Sequence, residues 1–303
     1  MESTLRVGIV GAGGIAPMHI EGWLALGAEV AILRRTDADV LASRYGIRVI
    51  GGLDELIDAV DVVDTISPTS THLDIARAAF ARGRHVVCEK PLAGSTADAQ
   101  EIIDAADRAG MRLFPAHVVR YFEGYRDLHD LVGTIGTLTE LTFRRTVAAP
   151  DSAWFYAEDA GGGVIRDLMI HDIDQALWLA GSVVEVSATQ DPPAVGDRVS
   201  PPVSAHVTLT HANGAISHLR ADWLEPGTPF RSMVEVAGSE GILRFDTDLD
   251  PAGADPYRAQ LADFAEAIRT GGAARVTAVD GLAAVAVVDA AYASLAGKRP
   301  IMF

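Results

Sequence analysis

Lysine is rare in this chain, and one of its two lysines stands where a catalytic amine would be expected. Lys90 directly follows an apolar run, in the order Glu89-Lys90-Pro91, while Lys298 lies in a polar tail. Arginine keeps its proton in proteins, whereas a lysine at a buried site can shift its pKa and act as acid, base or hydrogen-bond donor. The position predicts a site that needs a titratable amine. A solvated residue at a strand end is the alternative.

A second candidate site contains an aspartate and a histidine four residues apart. Asp167 and His171 fall in a segment that reads as a helix from about residue 165 to 179, so their side chains share one helix face. Histidine titrates near neutral pH, and an adjacent carboxylate can fix its tautomer, which suits a general acid–base. The alternative is a buried histidine that is satisfied by hydrogen bonds. One histidine with nearby carboxylates does not form a zinc ligand set, so we predict no metal.

A glycine-rich turn follows the first apolar strand and precedes a helix. The turn Gly11-Ala12-Gly13-Gly14-Ile15-Ala16 has the pattern G-x-G-x-x-A. Its glycines would let the backbone approach a pyrophosphate at the helix N-terminus. The position of the turn, between a strand and a helix at the start of a βαβ series, supports this interpretation. We therefore predict dinucleotide binding by Gly11, Gly13, Gly14 and Ile15, with a purely structural turn as the alternative.

The residues after the second predicted strand indicate which dinucleotide binds. NAD sites usually place an acid there for the ribose 2′-hydroxyl, but this chain has Arg34, Arg35 and Thr36. A guanidinium can pair with a 2′-phosphate, so the sequence favours NADP over NAD. The alternative is that both arginines are solvated and that Asp37 takes the place of the acid.

The order of predicted elements indicates two domains of different architecture. Short apolar strands alternate with helices over residues 1–120, which is typical of a parallel sheet covered by helices. From residue 137 onwards, strands follow one another through short turns such as Asn213-Gly214, which is typical of antiparallel pairing. We predict an α/β chain with a dinucleotide-binding domain at 1–120. An α+β domain at 121–303 would hold a large, mostly antiparallel sheet that binds substrate and a second subunit.

Aromatic and charged residues suggest further contacts with a substrate. Trp154 and Tyr156 lie in a loop ahead of a triple glycine, where aromatic rings could pack against a sugar ring. A loop anchored by aromatic burial, or a subunit contact, is the alternative. Arg120 and Tyr121 follow the last strand of the first domain, and they could line the cleft between the domains.

Composition narrows the partners and the compartment. The chain has 303 residues, 49% of them hydrophobic, and a formal net charge of −16, which disfavours nucleic acid and anionic membranes as partners. The single cysteine, Cys88, excludes an intramolecular disulfide and agrees with a reducing compartment. Since no secretory signal and no uninterrupted apolar run of about 20 residues is apparent, we predict a cytoplasmic protein. One face of the second sheet needs a cover, which suggests a homodimer or homotetramer.

Several segments, in this order, resemble the glucose–fructose oxidoreductase, inositol dehydrogenase and MocA family. The matching segments are 11–16, 67–72, Glu89-Lys90-Pro91, 116–121, 132–136 and 161–174. The resemblance implies a Rossmann domain followed by an α/β domain with a large, mostly antiparallel sheet. It also implies cofactor contacts by Ser67, Pro68, His72, Glu89 and Lys90, and substrate contacts by Asp167 and His171. Thr69 and Val118 depart from the pattern, since the family often has asparagine at both positions.

These observations together predict an NAD(P)-dependent dehydrogenase or reductase. It would transfer hydride between nicotinamide and a secondary alcohol or ketone of a sugar, cyclitol or related polyol. His171 would accept the hydroxyl proton, Asp167 would orient the imidazole, and Lys90 would hydrogen-bond the same oxygen. The alternatives are an enzyme for a non-carbohydrate carbonyl or diol, and a catalytically silent NADP-binding sensor.

Overall fold

The chain forms two compact units, each with its own sheet. A computed structural model describes residues 4–157, 161–196, 198–247 and 255–303. The first unit comprises Met1–Tyr121 with Ala254–Leu282, and the second comprises Phe122–Gly253 with Ala283–Phe303.

The first unit contains a six-stranded parallel sheet, which confirms the predicted parallel architecture. Its strands are β1 (Arg6–Val10), β2 (Glu29–Leu33), β3 (Arg48–Ile50), β4 (Val62–Thr65), β5 (His85–Glu89) and β6 (Leu113–Ala116). The connecting helices are α1 (Ala16–Ala25), α2 (Ala38–Tyr45), α3 (Leu53–Ala59), α4 (His72–Phe80) and α5 (Thr96–Ala109). The strand order is β3-β2-β1-β4-β5-β6, so the direction of winding reverses between β1 and β4. Sheets of this order bind ligands outside the carboxyl ends of the strands at that reversal.

The second unit contains a seven-stranded sheet that is mostly antiparallel, as predicted. Its helices are α6 (Glu123–Leu131) and α7 (Ile170–Ala180), and its strands are β7 (Leu138–Ala148), β8 (Val183–Asp191), β9 (Val203–His211), β10 (Ile216–Leu224), β11 (Arg231–Gly238), β12 (Gly241–Asp246) and β13 (Ile301–Met302). The order is β12-β11-β7-β10-β9-β8-β13. The predicted turn at Asn213-Gly214 joins the antiparallel strands β9 and β10, and Gly214 there has a φ of 90°. Within the described sheet, the pair β7 and β10 is the parallel one.

Helix α8 (Pro256–Thr270) belongs to the first unit, although the sequence prediction placed 121–303 together. Its Leu261 and Phe264 are buried in the same core as Ile20 and Trp23 of α1. A Cβ on Gly22 of α1 would lie 2.7 Å from Leu261, so glycine there permits the close approach of the two helices. The structure therefore differs from the predicted boundary, because an amphipathic helix from the distant end of the chain completes the first core.

Helix α9 (Ala278–Gly297) is the one described helix that is long and apolar enough to cross a membrane by length and composition. Its apolar run is interrupted by Asp280 and Asp289. Asp280 accepts a hydrogen bond from Arg120 at 3.2 Å, and Asp289 accepts one from Arg166 at 3.0 Å. Ion-paired aspartates of this kind are typical of a helix in a protein core.

Candidate active site

The predicted cofactor residues follow the carboxyl ends of four adjacent parallel strands. The glycine turn follows β1, Arg34 follows β2, Ser67 lies two residues beyond β4, and Lys90 follows β5. Since β2, β1, β4 and β5 are neighbours in the sheet, these segments lie along one edge of it. This is the edge at which sheets of this type bind nucleotides.

Glycine is found at the positions of this turn for two different structural reasons. Gly11 has a φ of 130°, and a Cβ there would lie 2.6 Å from the carbonyl oxygen of Ile66, which follows β4. No other residue type fits at position 11 unless the backbone moves. At Gly13 and Gly14 a Cβ would meet no heavy atom within 4 Å among the described residues. The backbone of these two glycines therefore borders open space, and a ligand could approach it closely.

The N-terminus of α1 has the properties of an anion site. The helix begins after Ile15, no described side chain caps it, and its first turn contains no acidic residue. Uncapped N–H groups and the positive end of the helix dipole favour a negatively charged group. The turn and this helix end therefore fit the pyrophosphate of a dinucleotide.

The residues after β2 are exposed, and Arg34 makes only an exposed ion pair there. Arg34, Arg35 and Thr36 are exposed, directly after the buried Leu33. The Arg34 guanidinium donates to Asp39 at 3.1 Å, with side chains that are 58% and 65% exposed. Such exposed pairs contribute little energy, so Arg34 can exchange Asp39 for a ligand.

The segment after β4 is held by internal hydrogen bonds. The Ser67 hydroxyl lies 2.9 Å from that of Thr65 and 2.6 Å from that of Thr71. Both ring nitrogens of the buried His72 lie within hydrogen-bond distance of carbonyl oxygens, 2.9 Å from Ser67 and 3.0 Å from Pro91. The His72 ring is thus engaged by backbone, so it shapes the Ser67–Pro68 turn, and direct cofactor contact stays a prediction.

Lys90 is the first partly exposed residue after a buried strand end. Residues 86–89 are buried, and Lys90 is half-buried. Its backbone N–H donates to Glu89 Oε2 at 3.0 Å. The neighbouring Cys88 is fully buried, and burial raises the pKa of its thiol well above the usual value. A buried neutral thiol is a poor nucleophile, which leaves Lys90 as the candidate reactive group at this strand end.

A buried charge cluster, not predicted from the sequence, lies beneath Lys90. His19 of α1 donates from Nδ1 to Asp64 Oδ2 at 2.9 Å and from Nε2 to Glu89 Oε1 at 3.2 Å. The Trp23 indole also donates to Asp64, at 2.7 Å. The signal was present in the sequence, since Asp64 and Glu89 stand inside apolar strands. A buried acid almost always requires a partner.

The second candidate site consists of Asp167 and His171, two partly exposed polar residues in a buried helical stretch. We call this pair the polar window. Residues 165–169 form a π-helical segment that continues into α7, where the sequence predicted one regular helix. Between residues 161 and 176, all of which are described, Asp167 and His171 alone are partly exposed. π-Helical turns occur frequently at functional sites. The two residues that the sequence analysis predicted as a site are therefore the ones in this stretch that solvent can reach.

A buried ion pair anchors the start of α7 to the sheet. Asp172, next to His171, accepts hydrogen bonds from Arg145 of β7, at 2.7 Å from Nη2 and 3.1 Å from Nε. The same guanidinium donates to the Tyr125 hydroxyl at 3.0 Å. Breaking this buried pair would be energetically costly, because it would leave an unpaired charge in the protein interior. The pair therefore fixes the helix turn that carries His171.

The remaining predicted substrate residues have structural contacts. Trp154 is 39% exposed and stacks on Phe155, and the Tyr156 hydroxyl donates to the carbonyl of Pro150. Arg120 is buried against Asp280, and the Tyr121 hydroxyl donates to Asp263 at 2.6 Å. Trp154 is thus partly exposed, and contact between a substrate and any of these four residues stays a prediction.

Lys90 belongs to the first unit, whereas Asp167 and His171 belong to the second. The two candidate sites are therefore supplied by different cores of the chain.

Three family models together match nearly the whole chain. An oxidoreductase family with an NAD-binding Rossmann fold matches residues 5–117, the GFO/IDH/MocA C-terminal domain matches 125–244, and an oxidoreductase-family C-terminal α/β domain matches 246–303. The match includes the glycine turn, Lys90, Asp167 and His171.

Known proteins of similar sequence and fold cover the same length. Inositol 2-dehydrogenase 3 of Saccharopolyspora erythraea is 28% identical over 96% of this chain and 93% of its own. The rhizopine catabolism protein MocA of Rhizobium meliloti is 28% identical over 94% of this chain and 93% of its own. The crystal structure of GenD2 from gentamicin A biosynthesis, in complex with NAD, has a TM-score of 0.89 and 27% identity, covering 100% of this chain and 97% of that one.

Proposed function

Because this chain belongs to the glucose–fructose oxidoreductase, inositol dehydrogenase and MocA family and is a nicotinamide-dependent oxidoreductase, we propose that it acts on a polyol. The reaction is hydride transfer between nicotinamide and a secondary alcohol or ketone of a sugar, cyclitol or related molecule. The observation that carries the proposal is the polar window of Asp167 and His171 in an otherwise buried stretch. The names of similar proteins agree with it, since they include inositol 2-dehydrogenases and a 1,5-anhydro-D-fructose reductase.

The cofactor site consists of the glycine turn and the N-terminus of α1. The bare backbone at Gly13 and Gly14, beside an uncapped helix end, would hold the pyrophosphate. When bound, the nicotinamide supplies the hydride chemistry, and the protein contributes position and charge.

The side chains divide the proton chemistry between them. We assign His171 as the base that takes the hydroxyl proton, because imidazole exchanges protons near neutral pH. Asp167 orients the ring. Lys90 donates a hydrogen bond to the reacting oxygen and stabilises the negative charge that develops on it.

A screen for turnover tests the proposal directly. The purified protein is first titrated with NADPH and NADH by nicotinamide fluorescence, and is then offered a panel of sugars and cyclitols with each oxidised cofactor. We expect reduced nicotinamide to appear with at least one polyol. Cofactor binding without turnover on any polyol or its ketone would contradict the proposal and favour a silent sensor. Turnover restricted to non-carbohydrate carbonyls would support the other alternative.

We propose that the enzyme prefers NADP. Support comes from Arg34 and Arg35, which are exposed directly after β2 and can approach a 2′-phosphate. Arg35→Ala should lower kcat/KM for NADP by about 10-fold or more relative to NAD, since a charge-assisted hydrogen bond is worth about 1.5–3 kcal/mol. Arg48→Ala is the control, because Arg48 is exposed at the opposite, amino end of β3. An unchanged cofactor ratio in Arg35→Ala and Arg34→Ala would contradict the preference.

We propose that a second copy of the chain covers the open face of the seven-stranded sheet. This open face is defined by Glu140, Thr142 and Arg144 of β7 and by the residues in register with them. It includes Ile216, which is 39% exposed, and Met233, which is 38% exposed. Exposed apolar side chains on an uncovered face of a sheet are typical of a homo-oligomer contact.

We also propose a cytoplasmic location. The single cysteine is buried and free, which is typical of proteins in a reducing compartment. Fractionation of the native host with an activity assay would test it.

A further inference from the structure

The His19 cluster is a buried set of ionisable groups that the proposed chemistry does not use. His19 and Asp64 have fully buried side chains, and the Glu89 side chain is 7% exposed. They come from three elements, α1, β4 and β5, which meet beneath the strand end that carries Lys90.

The contacts of the cluster favour a cation on His19, because both ring nitrogens lie within hydrogen-bond distance of carboxylate oxygens. Two buried carboxylates bonded to one neutral ring would leave two uncompensated charges in a low-dielectric interior, which is costly. Burial alone lowers the pKa of His19, but the charges and hydrogen bonds of Asp64 and Glu89 outweigh burial and raise the pKa to about 10. For Glu89, burial raises the pKa, but the hydrogen bond and charge of His19 prevail and lower it.

The cluster is linked to Lys90 through the two oxygens of one carboxylate. Glu89 Oε1 accepts from His19, and Glu89 Oε2 accepts from the backbone N–H of Lys90. Hydrogen bonds at both oxygens restrict the rotamers of a carboxylate. Its second bond therefore fixes the peptide that leads into the Lys90 side chain.

We infer that His19 is a positioning residue for Lys90, acting through Glu89. Its imidazolium holds the Glu89 carboxylate charged and in one orientation, and that carboxylate fixes the backbone of Lys90. The inference rests on the proposed function, in which Lys90 contacts the reacting oxygen. The His19 side chain is fully buried, so it acts through Glu89 and not by contact with substrate or cofactor.

The residues around His19 determine which substitution can serve as a control. Trp23 lies on the same helix and donates only to Asp64. Tyr257 of α8 places its ring centre 5.7 Å from that of His19, and burial, followed by the charge of Glu89, raises the pKa of its hydroxyl. Trp23→Phe thus removes a hydrogen bond from the cluster without touching Glu89, and it is the matched control.

A double-mutant cycle between His19 and Glu89 tests the inference. His19→Gln and Glu89→Gln should each lower kcat by about 10- to 100-fold, because small displacements of a catalytic group cost about that much. The NADPH Kd of His19→Gln should stay within about 2-fold of the wild-type value, since His19 is fully buried. The double variant should be no slower than the slower single variant, because both changes break one link. Trp23→Phe should keep kcat within about 2-fold.

Three results would overturn the inference: wild-type kcat in His19→Gln, multiplied effects in the double variant, or an equal loss of kcat in Trp23→Phe. Should His19→Gln not fold, Glu89→Gln decides alone, and wild-type kcat in that variant overturns the link. If Lys90→Met retains turnover, the proposed function fails instead. If Lys90→Met abolishes turnover while His19→Gln and Glu89→Gln do not change it, only this inference fails.

Discussion

A histidine held between two buried carboxylates makes the stability of the first unit depend on pH. The pKa of His19 is raised from 6.5 to about 10, so the folded protein binds this proton more tightly than the unfolded chain does. The stabilisation is complete below pH 6.5 and is lost as the pH rises towards 10. The unfolding free energy of the wild type should therefore fall between pH 7 and 10 more steeply than that of His19→Gln.

Urea unfolding at fixed ionic strength measures this difference. Trp23→Phe is the control, because it weakens the cluster but keeps the titrating group, and its curve should run parallel to that of the wild type. Parallel curves for the wild type and His19→Gln would show that His19 does not carry the charge.

Residue chemistry was readable from the sequence where one residue type was unusual in its context. Lys90 stands out among arginines, and the structure places it at the end of a buried strand. His19 does not stand out, because a histidine in an apolar helix is equally typical of a satisfied core residue. Only the pairing of α1 with β4 and β5 shows that Asp64 and Glu89 share its ring, and such pairing is not encoded by local sequence.

Each glycine of the first turn should respond differently to alanine. Gly11→Ala places a Cβ 2.6 Å from a backbone oxygen at a φ of 130°, so the unfolding free energy should fall by about 2 kcal/mol or more. Gly13→Ala enters open space and should leave the melting temperature of the cofactor-free protein unchanged. Its NADPH Kd should rise by about 10-fold or more, because the methyl group occupies the space where a pyrophosphate approaches. Thermal unfolding and nicotinamide fluorescence separate the two, and a stable, fully binding Gly11→Ala would contradict the geometry.

Two consecutive arginines of β7 offer a matched test of how α7 is held. Arg145 is buried on Asp172, while Arg144 points to the open face and is exposed. Arg145→Met leaves a buried carboxylate without its cation, which should cost about 3–5 kcal/mol. Arg144→Met should change the unfolding free energy by no more than about 0.5 kcal/mol. Equal effects of the two substitutions in urea unfolding would show that the pair does not anchor the helix.

Elements with strong periodicity were predictable, and the irregular one was not. The alternating apolar strands and helices of residues 1–120 and the hairpin at Asn213-Gly214 appear as the sequence predicted. The π-helical turn at residues 165–169 was not predicted. An i to i+5 bond leaves the residue pattern close to that of an α-helix, so no local signal distinguishes the two.

At the scale of the whole molecule, contacts between distant segments limited the sequence prediction. Helix α8 packs on α1 rather than with its neighbours in sequence, and β7 pairs in parallel with β10 across a long connection. Both depend on which apolar face finds a complementary face in the folded chain. Composition and periodicity specify the faces but not their partners.

The open face of the second sheet predicts the size of the assembly. Ile242 also belongs to that face, because it pairs with Ala237, which in turn pairs with Glu140. Met233→Glu and Ile242→Glu place charges among the exposed apolar side chains of the face, and they should convert the oligomer to a monomer in light scattering after gel filtration. Val40→Glu is the control, because Val40 is 67% exposed on α2 in the first unit. A monomeric wild type, or an unchanged mass in both face variants, would contradict the proposed contact.

The rate of hydride transfer in a single turnover, compared between the two lysines, tests the central claim most directly. With NADPH or NADP and a polyol or ketone from the screen, Lys90→Met should keep the cofactor Kd within about 2-fold and slow transfer by about 10²- to 10⁴-fold. Lys298→Met replaces the other lysine, which is exposed, and should transfer hydride at the wild-type rate. A Lys90→Met enzyme that transfers hydride as fast as Lys298→Met would contradict the account.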